Sequence, residues 1–255
     1  CPSWSLSETI MQPYTLENKT ILITGASSGI GRGTAIACAA AGATCILVAR
    51  DEARLKETLA DCAPGNHRIE VADLTNFEDM KSLVERVDAL DGLVLCAGIG
   101  DNHTPLKFIT PEFVDKIFGI NVKAPILLLA LLEKRKKLNK GASIVMLSSI
   151  SNFCASVAHS LYGASKGAIR AFVRGAALDL AGKRIRVNAI APAMVNTPLI
   201  NYSALTEEQR KADEAKYPLK RYGEPADVAH AAVYLLSDAA SWVTGQEFVL
   251  DGGYT

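Results

Sequence analysis

The sequence predicts a doubly wound α/β protein: one seven-stranded parallel sheet, covered by helices on both faces, in a single domain. Three observations carry this. From residue 19 onward, short runs of β-branched and aliphatic residues alternate with longer stretches of helical period. Most of the short runs are apolar at nearly every position, as strands buried on both faces are. A glycine-rich turn directly follows the first run and opens the first helical stretch.

The strands are read at Thr20–Ile23, Thr44–Val48, Arg68–Val71, Leu93–Leu95, Ser143–Leu147, Ile185–Ile190 and Glu247–Leu250, bounded by Gly, Asp or Asn. Between them, Ile30–Ala41, Glu52–Cys62, Asn76–Ala89, Pro111–Lys137, Tyr162–Ala181 and Pro225–Asp238 are each long enough for the crossover that joins parallel neighbours. No linker, repeat or low-complexity tract marks a second domain, so residues 16–255 read as one unit and residues 1–15 as an N-terminal extension. Within that extension Cys1-Pro2-Ser3-Trp4 lacks the polar tether of a lipidated terminus, and Met11 reads as an original start. Residues 196–224 interrupt the pattern after the sixth strand, with Thr206–Tyr217 read as a charged surface helix. Ligands of such sheets bind beyond the carboxyl ends of the strands, so this segment reads as a substrate lid.

Composition excludes several classes. The 255 residues are 49% hydrophobic and 21% charged, unlike a disordered or collagenous chain. Lys plus Arg and Asp plus Glu balance at 27 each, so net charge argues for neither nucleic acid nor a lipid surface as partner. Apolar runs such as Ile126–Leu132 have seven residues, against roughly 20 for a membrane span. Six cysteines and four histidines are scattered without a Cys-x-x-Cys pair, which reads as free thiols in a reducing cytoplasm; no metal is expected.

The turn Gly25-Ala26-Ser27-Ser28-Gly29-Ile30-Gly31 stands where a glycine cluster means phosphate binding, between a strand and the helix it feeds. Gly25 permits the tight turn, Gly29 the approach of a pyrophosphate, and Gly31 close packing of helix on strand. The spacing Gly-x-x-x-Gly-x-Gly resembles that of the short-chain dehydrogenase/reductase family, and the resemblance extends over nearly the whole chain. It implies a Rossmann fold, a nicotinamide dinucleotide and reversible hydride transfer to a carbonyl or from a secondary alcohol. At the end of the second strand, uncharged Ala49 followed by Arg50 reads as preference for NADP, the guanidinium forking onto the 2′-phosphate, with NAD as the alternative. Asp51 is the counter-argument, but it precedes Glu52-Ala53-Arg54 and reads as a helix cap. Asp73 and Leu74 resemble the family's adenine-holding pair, and Ala97-Gly98 its close approach to the ribose.

Tyr162-Gly163-Ala164-Ser165-Lys166 places a phenol and an ammonium one helical turn apart on one face, so that cation, with the positive charge of an oxidised nicotinamide, can stabilise phenolate and bring its pKa down from near 10. The resemblance adds Ser149, at the end of the fifth strand, as the group that hydrogen-bonds the substrate oxygen. It also adds Asn121, whose side chain bends its helix so that a carbonyl can hold a water leading to Lys166. Ser148 reads as a backbone-bonded neighbour. The implied roles are proton transfer for Tyr162, and ribose binding with proton relay for Lys166. Two departures stand out: Leu95-Cys96-Ala97-Gly98 has a thiol where the family has a bracing amide, and Pro192-Ala193 replaces Pro-Gly. Pro192, Val195 and Thr197 match positions that anchor the nicotinamide.

Substrate identity is barely written. Residues 150–161 and 194–217 are expected to line the pocket, with Phe153, Cys154, Val157 and Val195 making it apolar, and Phe153 beside Ser149 and Tyr162 as the substrate contact. The basic run Lys134-Arg135-Lys136-Lys137 reads as a solvated helix end or as a docking patch for acyl carrier protein, which would make the substrate a 3-oxoacyl thioester. Sugar, polyol or steroid ketones are the alternative substrates, and a non-catalytic dinucleotide sensor the alternative function. Apolar residues on more than one face of Pro111–Lys137 (Ile126, Leu127, Leu128, Leu129, Leu131, Leu132) and Tyr162–Ala181 (Ile169, Phe172, Val173, Ala176, Ala177) predict helix faces buried between subunits of a homotetramer.

Overall fold

The computed structural model describes residues 12–200 and 206–255. Seven strands, β1 (Thr20–Thr24), β2 (Thr44–Ala49), β3 (Arg68–Val71), β4 (Leu90–Leu95), β5 (Leu138–Leu147), β6 (Arg186–Pro192) and β7 (Glu247–Leu250), form one sheet in the order β3-β2-β1-β4-β5-β6-β7. All pairs are parallel. The helices are α1 (Gly29–Ala40), α2 (Glu52–Asp61), α3 (Phe77–Arg86), α4 (Pro111–Phe118), α5 (Ala124–Lys134), α6 (Ser160–Leu180), α7 (Glu207–Glu214) and α8 (Pro225–Leu236). They cover both faces, each over its own core. Leu22, Ile144 and Val187 meet Leu83, Leu128 and Ile169 on one side, while Ile23, Leu47 and Val145 meet Ala35, Leu55 and Val228 on the other.

Three elements differ from the sequence reading. β5 begins five residues early because polar Asn139-Lys140-Gly141 interrupts its apolar pattern; Gly141 takes φ +85°, and the β4–β5 register shifts between Leu90 and Gly92. The helix expected over Pro111–Lys137 is α4, a π turn at Gly119–Lys123, and α5, ending at Lys134 so that Lys137 can enter the sheet. The charged helix after β6 is shorter than expected, and Thr206 closes a capping box with Gln209 at its start. Of the extension expected at 1–15, residues 1–11 lie outside the described residues; Leu16, just after it, is buried and its N–H bonds Ala41 O.

The apolar surplus is also smaller than the sequence suggests. Leu128, Leu129, Leu132, Ile169, Val173, Ala176 and Ala177 are buried within the chain itself, and Ile126, Leu127, Leu131 and Phe172 partly so. Leu178, 80% exposed, is the large apolar side chain of α6 left to solvent. Among the described residues no helix is long and apolar enough to cross a membrane.

Candidate active site

Strand order reverses between β1 and β4, which opens a crevice at their carboxyl ends. The Thr24 hydroxyl, ending β1, accepts from Ala97 N at 3.2 Å and fixes the crevice floor. The cleft there encloses about 1440 Å³ and is lined by Gly25, Ser27, Ser28, Gly29, Ile30 and Gly31 on one side and by Arg50, Asp73, Leu74, Ala97, Gly98 and Thr197 around it. These are the cofactor residues expected from sequence, apart from Asn121, Tyr162, Lys166, Pro192 and Val195. Two glycines are required by close approach. Gly25 takes φ +66° with Ala97 N 3.0 Å from where its Cβ would be, and a Cβ on Gly31 would lie 2.2 Å from Gly25 O. Ser28 precedes α1 without capping it, so the first N–H groups of that helix have no bond from its side chain.

At the β2 end, Asp51 accepts from Arg54 N at 3.1 Å and caps α2, as expected. Arg50 lines the cleft, and no ion pair among the described residues takes it. Asp73 accepts from both the N–H and the hydroxyl of Thr75, which holds its carboxyl below the usual range. Leu74 is buried, so only its backbone can serve a ligand. Ala193 is not among the described residues with positive φ, so the missing glycine costs no strain there.

Beyond the inner end of the cleft stand the four residues of the expected catalytic set. Asn121 sits in the π turn, buried; its Oδ1 accepts from Ile99 N and its Nδ2 donates to Ile99 O, both at 2.9 Å, and to Ser165 Oγ at 3.2 Å. The widened turn turns this amide toward the loop after β4. Ser149 donates to Pro192 O at 3.4 Å and accepts from Ser151 N, and its hydroxyl stands near enough to the Tyr162 phenol to favour the phenolate. Ser148 donates instead to Lys166 O at 3.2 Å, the backbone-bonded role expected of it. Lys166 Nζ donates to Leu147 O at 2.9 Å and stands 5.5 Å from the centroid of the Tyr162 ring. A Cβ on Gly98 would lie 3.2 Å from Asn121 Oδ1 and 3.7 Å from Lys166 Nζ, so this glycine lets the backbone pack closely on both groups.

The protein's own groups do not by themselves lower the phenol. Burial pushes the Tyr162 phenol up to about 12, with the Ser149 hydroxyl opposing and the Asp101 carboxylate adding to the rise. Burial also brings Lys166 down to about 8, against the Cys96 thiol beside it. Lys166 does not pull the phenol below 10 because its ammonium lies over the ring face and is engaged by Leu147 O. Cys96, where the family has an amide, is itself pushed up to about 12 by burial and hydrogen-bonds Thr34.

Three features escaped the sequence reading. Asn152 Nδ2 donates to Ser149 O and to Glu247 Oε1, tying the serine to β7. Arg54, Lys116 and Lys123 add cations to the cleft lining. Asp101, His103 and His159 cluster beside Tyr162. Helical and strand periodicity carried no signal for any of them, because all depend on how segments distant in sequence are brought together. Of the expected apolar pocket, Val195 is buried, Val157 is 92% exposed, and Phe153 is half-exposed with the Arg170 guanidinium over its ring. The basic run lies between α5 and β5, at the amino edge of the sheet, about 30 Å of strand away from the site. Arg135 pairs with Glu85 there, and Lys137 donates to Val87 O.

A model of the family described as enoyl-(acyl carrier protein) reductase matches residues 25–255. The chain belongs to the short-chain dehydrogenase/reductase family. In this family the 3-oxoacyl-[acyl-carrier-protein] reductase of Rickettsia felis is 35% identical over 238 residues, covering 93% of this chain and 97% of its own. The L-xylulose reductase of Caenorhabditis elegans is 35% identical over 247 residues, covering 95% and 98%. A dehydrogenase from Agrobacterium tumefaciens, solved with bound NADP, superposes with a TM-score of 0.84 at 30% identity, covering 95% of this chain and 98% of its own. As a short-chain dehydrogenase/reductase the protein is an NAD(P)-dependent oxidoreductase acting between carbonyl and alcohol. The cleft fits such a dinucleotide: two of its walls are backbone that a Cβ at Gly25 or Gly31 would obstruct, and the α1 amino terminus faces it uncapped.

Proposed function

We propose that the protein reduces a ketone with NADPH, with Tyr162 as the proton donor and a 3-oxoacyl thioester as the substrate class. The observation that carries this reading is the placement of Ser149, at the end of β5, beside the Tyr162 hydroxyl, with Lys166 one turn behind. The bound nicotinamide supplies or accepts the hydride. Ser149 hydrogen-bonds the substrate oxygen, Tyr162 gives it a proton, and Lys166 serves the ribose hydroxyls and proton recovery. Asn121 holds Ile99 and Ser165 in place behind them. Gly25 through Gly31 cradle the pyrophosphate, Asp73 and Leu74 hold the adenine, Ala97 and Gly98 border its ribose, and Pro192, Val195 and Thr197 border the nicotinamide. Arg50 supports preference for NADP, since it lines the cleft in no salt bridge among the described residues and Asp51 is spent on α2.

The segment 196–224, of which 201–205 lie outside the described residues, is the lid in this reading, and Phe153 a substrate contact. Exposed apolar side chains support a homotetramer: Leu178 on α6, and Trp242, 98% exposed, Val249 and Tyr254 near the chain end. A sugar ketone is the second reading, favoured by the L-xylulose reductase relative and by the position of the basic run, which lies on the wrong edge to dock a carrier protein at this cleft. Following reduced-nicotinamide absorbance with a 3-oxoacyl thioester, L-xylulose and simple ketones tests both. The thioester is expected to give the highest kcat/KM with NADPH; a higher value for the sugar transfers the substrate assignment, and turnover of none would leave only a dinucleotide sensor.

A further inference from the structure

The turn after β5 is pinned by the side chain of Asn152. Ser149 caps the short 3-10 turn Ile150–Asn152, and Asn152 returns to it twice: its backbone N–H donates to Ser149 O at 3.1 Å, and its Nδ2 donates to the same oxygen at 2.8 Å. Nδ2 also lies 2.9 Å from Ser148 Oγ and 2.9 Å from Glu247 Oε1. At the other side of the amide, Oδ1 accepts from Arg170 Nη1 at 3.0 Å, and Arg170 Nε pairs with Glu247 Oε2 at 3.2 Å. Asn152, Arg170 and Glu247 therefore close a ring drawn from the turn after β5, from α6 and from the first residue of β7. The Glu247 side chain is 10% exposed, and the Arg170 guanidinium also stands over the Phe153 ring, 5.7 Å from its centroid. The ring fixes which way the amide faces. Turned over, it would set Oδ1 against the Glu247 carboxylate and the Ser149 carbonyl, which only accept, and Nδ2 against a guanidinium, which only donates.

We propose that Asn152 is a positioning residue for Ser149, and that Arg170 and Glu247 set its amide in the orientation that serves the serine. The inference rests on reading Ser149 as the group that hydrogen-bonds the substrate oxygen. A serine hydroxyl aimed at an oxygen that arrives with the substrate takes its direction from the backbone that carries it. The Ser149 hydroxyl has neighbours that hold it only loosely: Ser151 N donates to it at 3.2 Å, Ser151 Oγ lies 3.1 Å away, and Pro192 O accepts from it at 3.4 Å. The firm hold is on the Ser149 peptide, whose carbonyl Asn152 clamps from two directions. The same Nδ2 meets Ser148 Oγ, which donates to Lys166 O at 3.2 Å, so the amide stands between the serine and the helix that carries Tyr162 and Lys166. Arg170 lies one turn beyond Lys166 on that helix. Releasing the clamp lets the peptide of Ser149 rotate and its hydroxyl drift. Drift of about an ångström costs rate more than binding, because a bond to the substrate oxygen strengthens as negative charge develops on it.

The test is a double-mutant cycle on the full-length chain, read as kcat with NADPH and whichever of a 3-oxoacyl thioester, L-xylulose and simple ketones gives the highest kcat/KM. Asn152→Ala is expected to lower kcat about 10- to 100-fold, with the NADPH dissociation constant and the ketone KM each changed less than about threefold. Ser149→Ala removes the hydroxyl that is being aimed, so in that background Asn152→Ala is expected to cost less than about threefold more. Losses that multiply, or a folded Asn152→Ala at the parent rate, show a turn that Asn152 merely stabilises and overturn the proposal. Arg170→Met, at a side chain 40% exposed, spares the core and frees the amide to turn over. It is expected to lower kcat about three- to tenfold, again with little further loss beside Ser149→Ala, and it decides the question if Asn152→Ala does not fold. Parent-rate turnover by Ser149→Ala is a separate result: it sinks the role assigned to the serine, and the proposal with it, whatever the Asn152 variants show.

Discussion

The Lys166 ammonium lies over the Tyr162 ring, 5.5 Å from its centroid, and spends a hydrogen bond on the carbonyl of Leu147. The two side chains share a helix face, as their spacing dictates, but they are stacked in depth along it. The phenol reaches Ser149, while the ammonium reaches the strand behind. Each residue can therefore be perturbed separately.

Tyr162→Phe removes one hydroxyl beside Ser149 and almost no surface. Turnover is expected to fall at least about 100-fold, with the affinity for NADP, measured by calorimetry, changed less than about threefold. A variant retaining a tenth of the parent rate contradicts the assignment.

Lys166 is a stability cost at neutral pH. Its folded value, about 8, lies below the ordinary 10.5, so the unfolded chain binds the extra proton between these pH values and stability rises with pH across that window. Below pH 8 the full cost, about 3 kcal/mol, is present. Lys166→Met also loses the bond to Leu147 O, worth about 1 kcal/mol. Calorimetric melting at pH 7 is expected to show the variant more stable by about 2 kcal/mol, or roughly 5 °C, with the gap shrinking toward pH 10. A less stable variant at pH 7 would show that the ammonium is favourably placed.

Arg50→Ala is expected to weaken NADP binding about 10- to 100-fold and NAD binding little, since only NADP carries the phosphate a guanidinium would pair with. Dissociation constants for both cofactors, read at one ionic strength, check this. Equal losses would shift the role to Arg54, which lines the same cleft.

Gly31→Ala drives a methyl into the carbonyl oxygen of Gly25, and both partners are backbone. The cost is expected to be about 2–3 kcal/mol of stability, with dinucleotide binding lost alongside, in a melt paired with a cofactor titration. Gly167→Ala, in open space on α6, is the control and should be neutral or slightly stabilising.

Light scattering behind a sizing column is expected to give four times 27.2 kDa. Leu178→Arg, on the exposed side of α6, should reduce that mass without unfolding the chain.

What the sequence disclosed, and what it hid, follows from the range of the interactions involved. The strands that are apolar throughout could be placed because burial on two faces writes itself into consecutive residues, and the glycine turn because its requirement is local. The first half of β5 was hidden because Leu138 and Ala142 carry its burial between polar neighbours. Tyr162 and Lys166 were visible as a one-turn pair, whereas Asp101 was not: its bond from the tyrosine N–H spans 61 residues of chain and leaves no periodic trace. Burial of the phenol was hidden for a similar reason, since spacing reports proximity to a cation but not the depth of the site around it.

The π turn at Gly119–Lys123 has a consequence for how this chain can vary. A single wide turn holds one residue more than the α-helix that flanks it, so removing that residue would let α4 and α5 join as one regular helix with both flanks in their present rotation. Ile117 and Leu128 would stay on the core side, while Asn121 would lose its grip on Ile99 and Ser165. At this point a length change of one residue separates a chain that folds from a chain that works, and a descendant that had abandoned catalysis could shed it without disturbing the sheet.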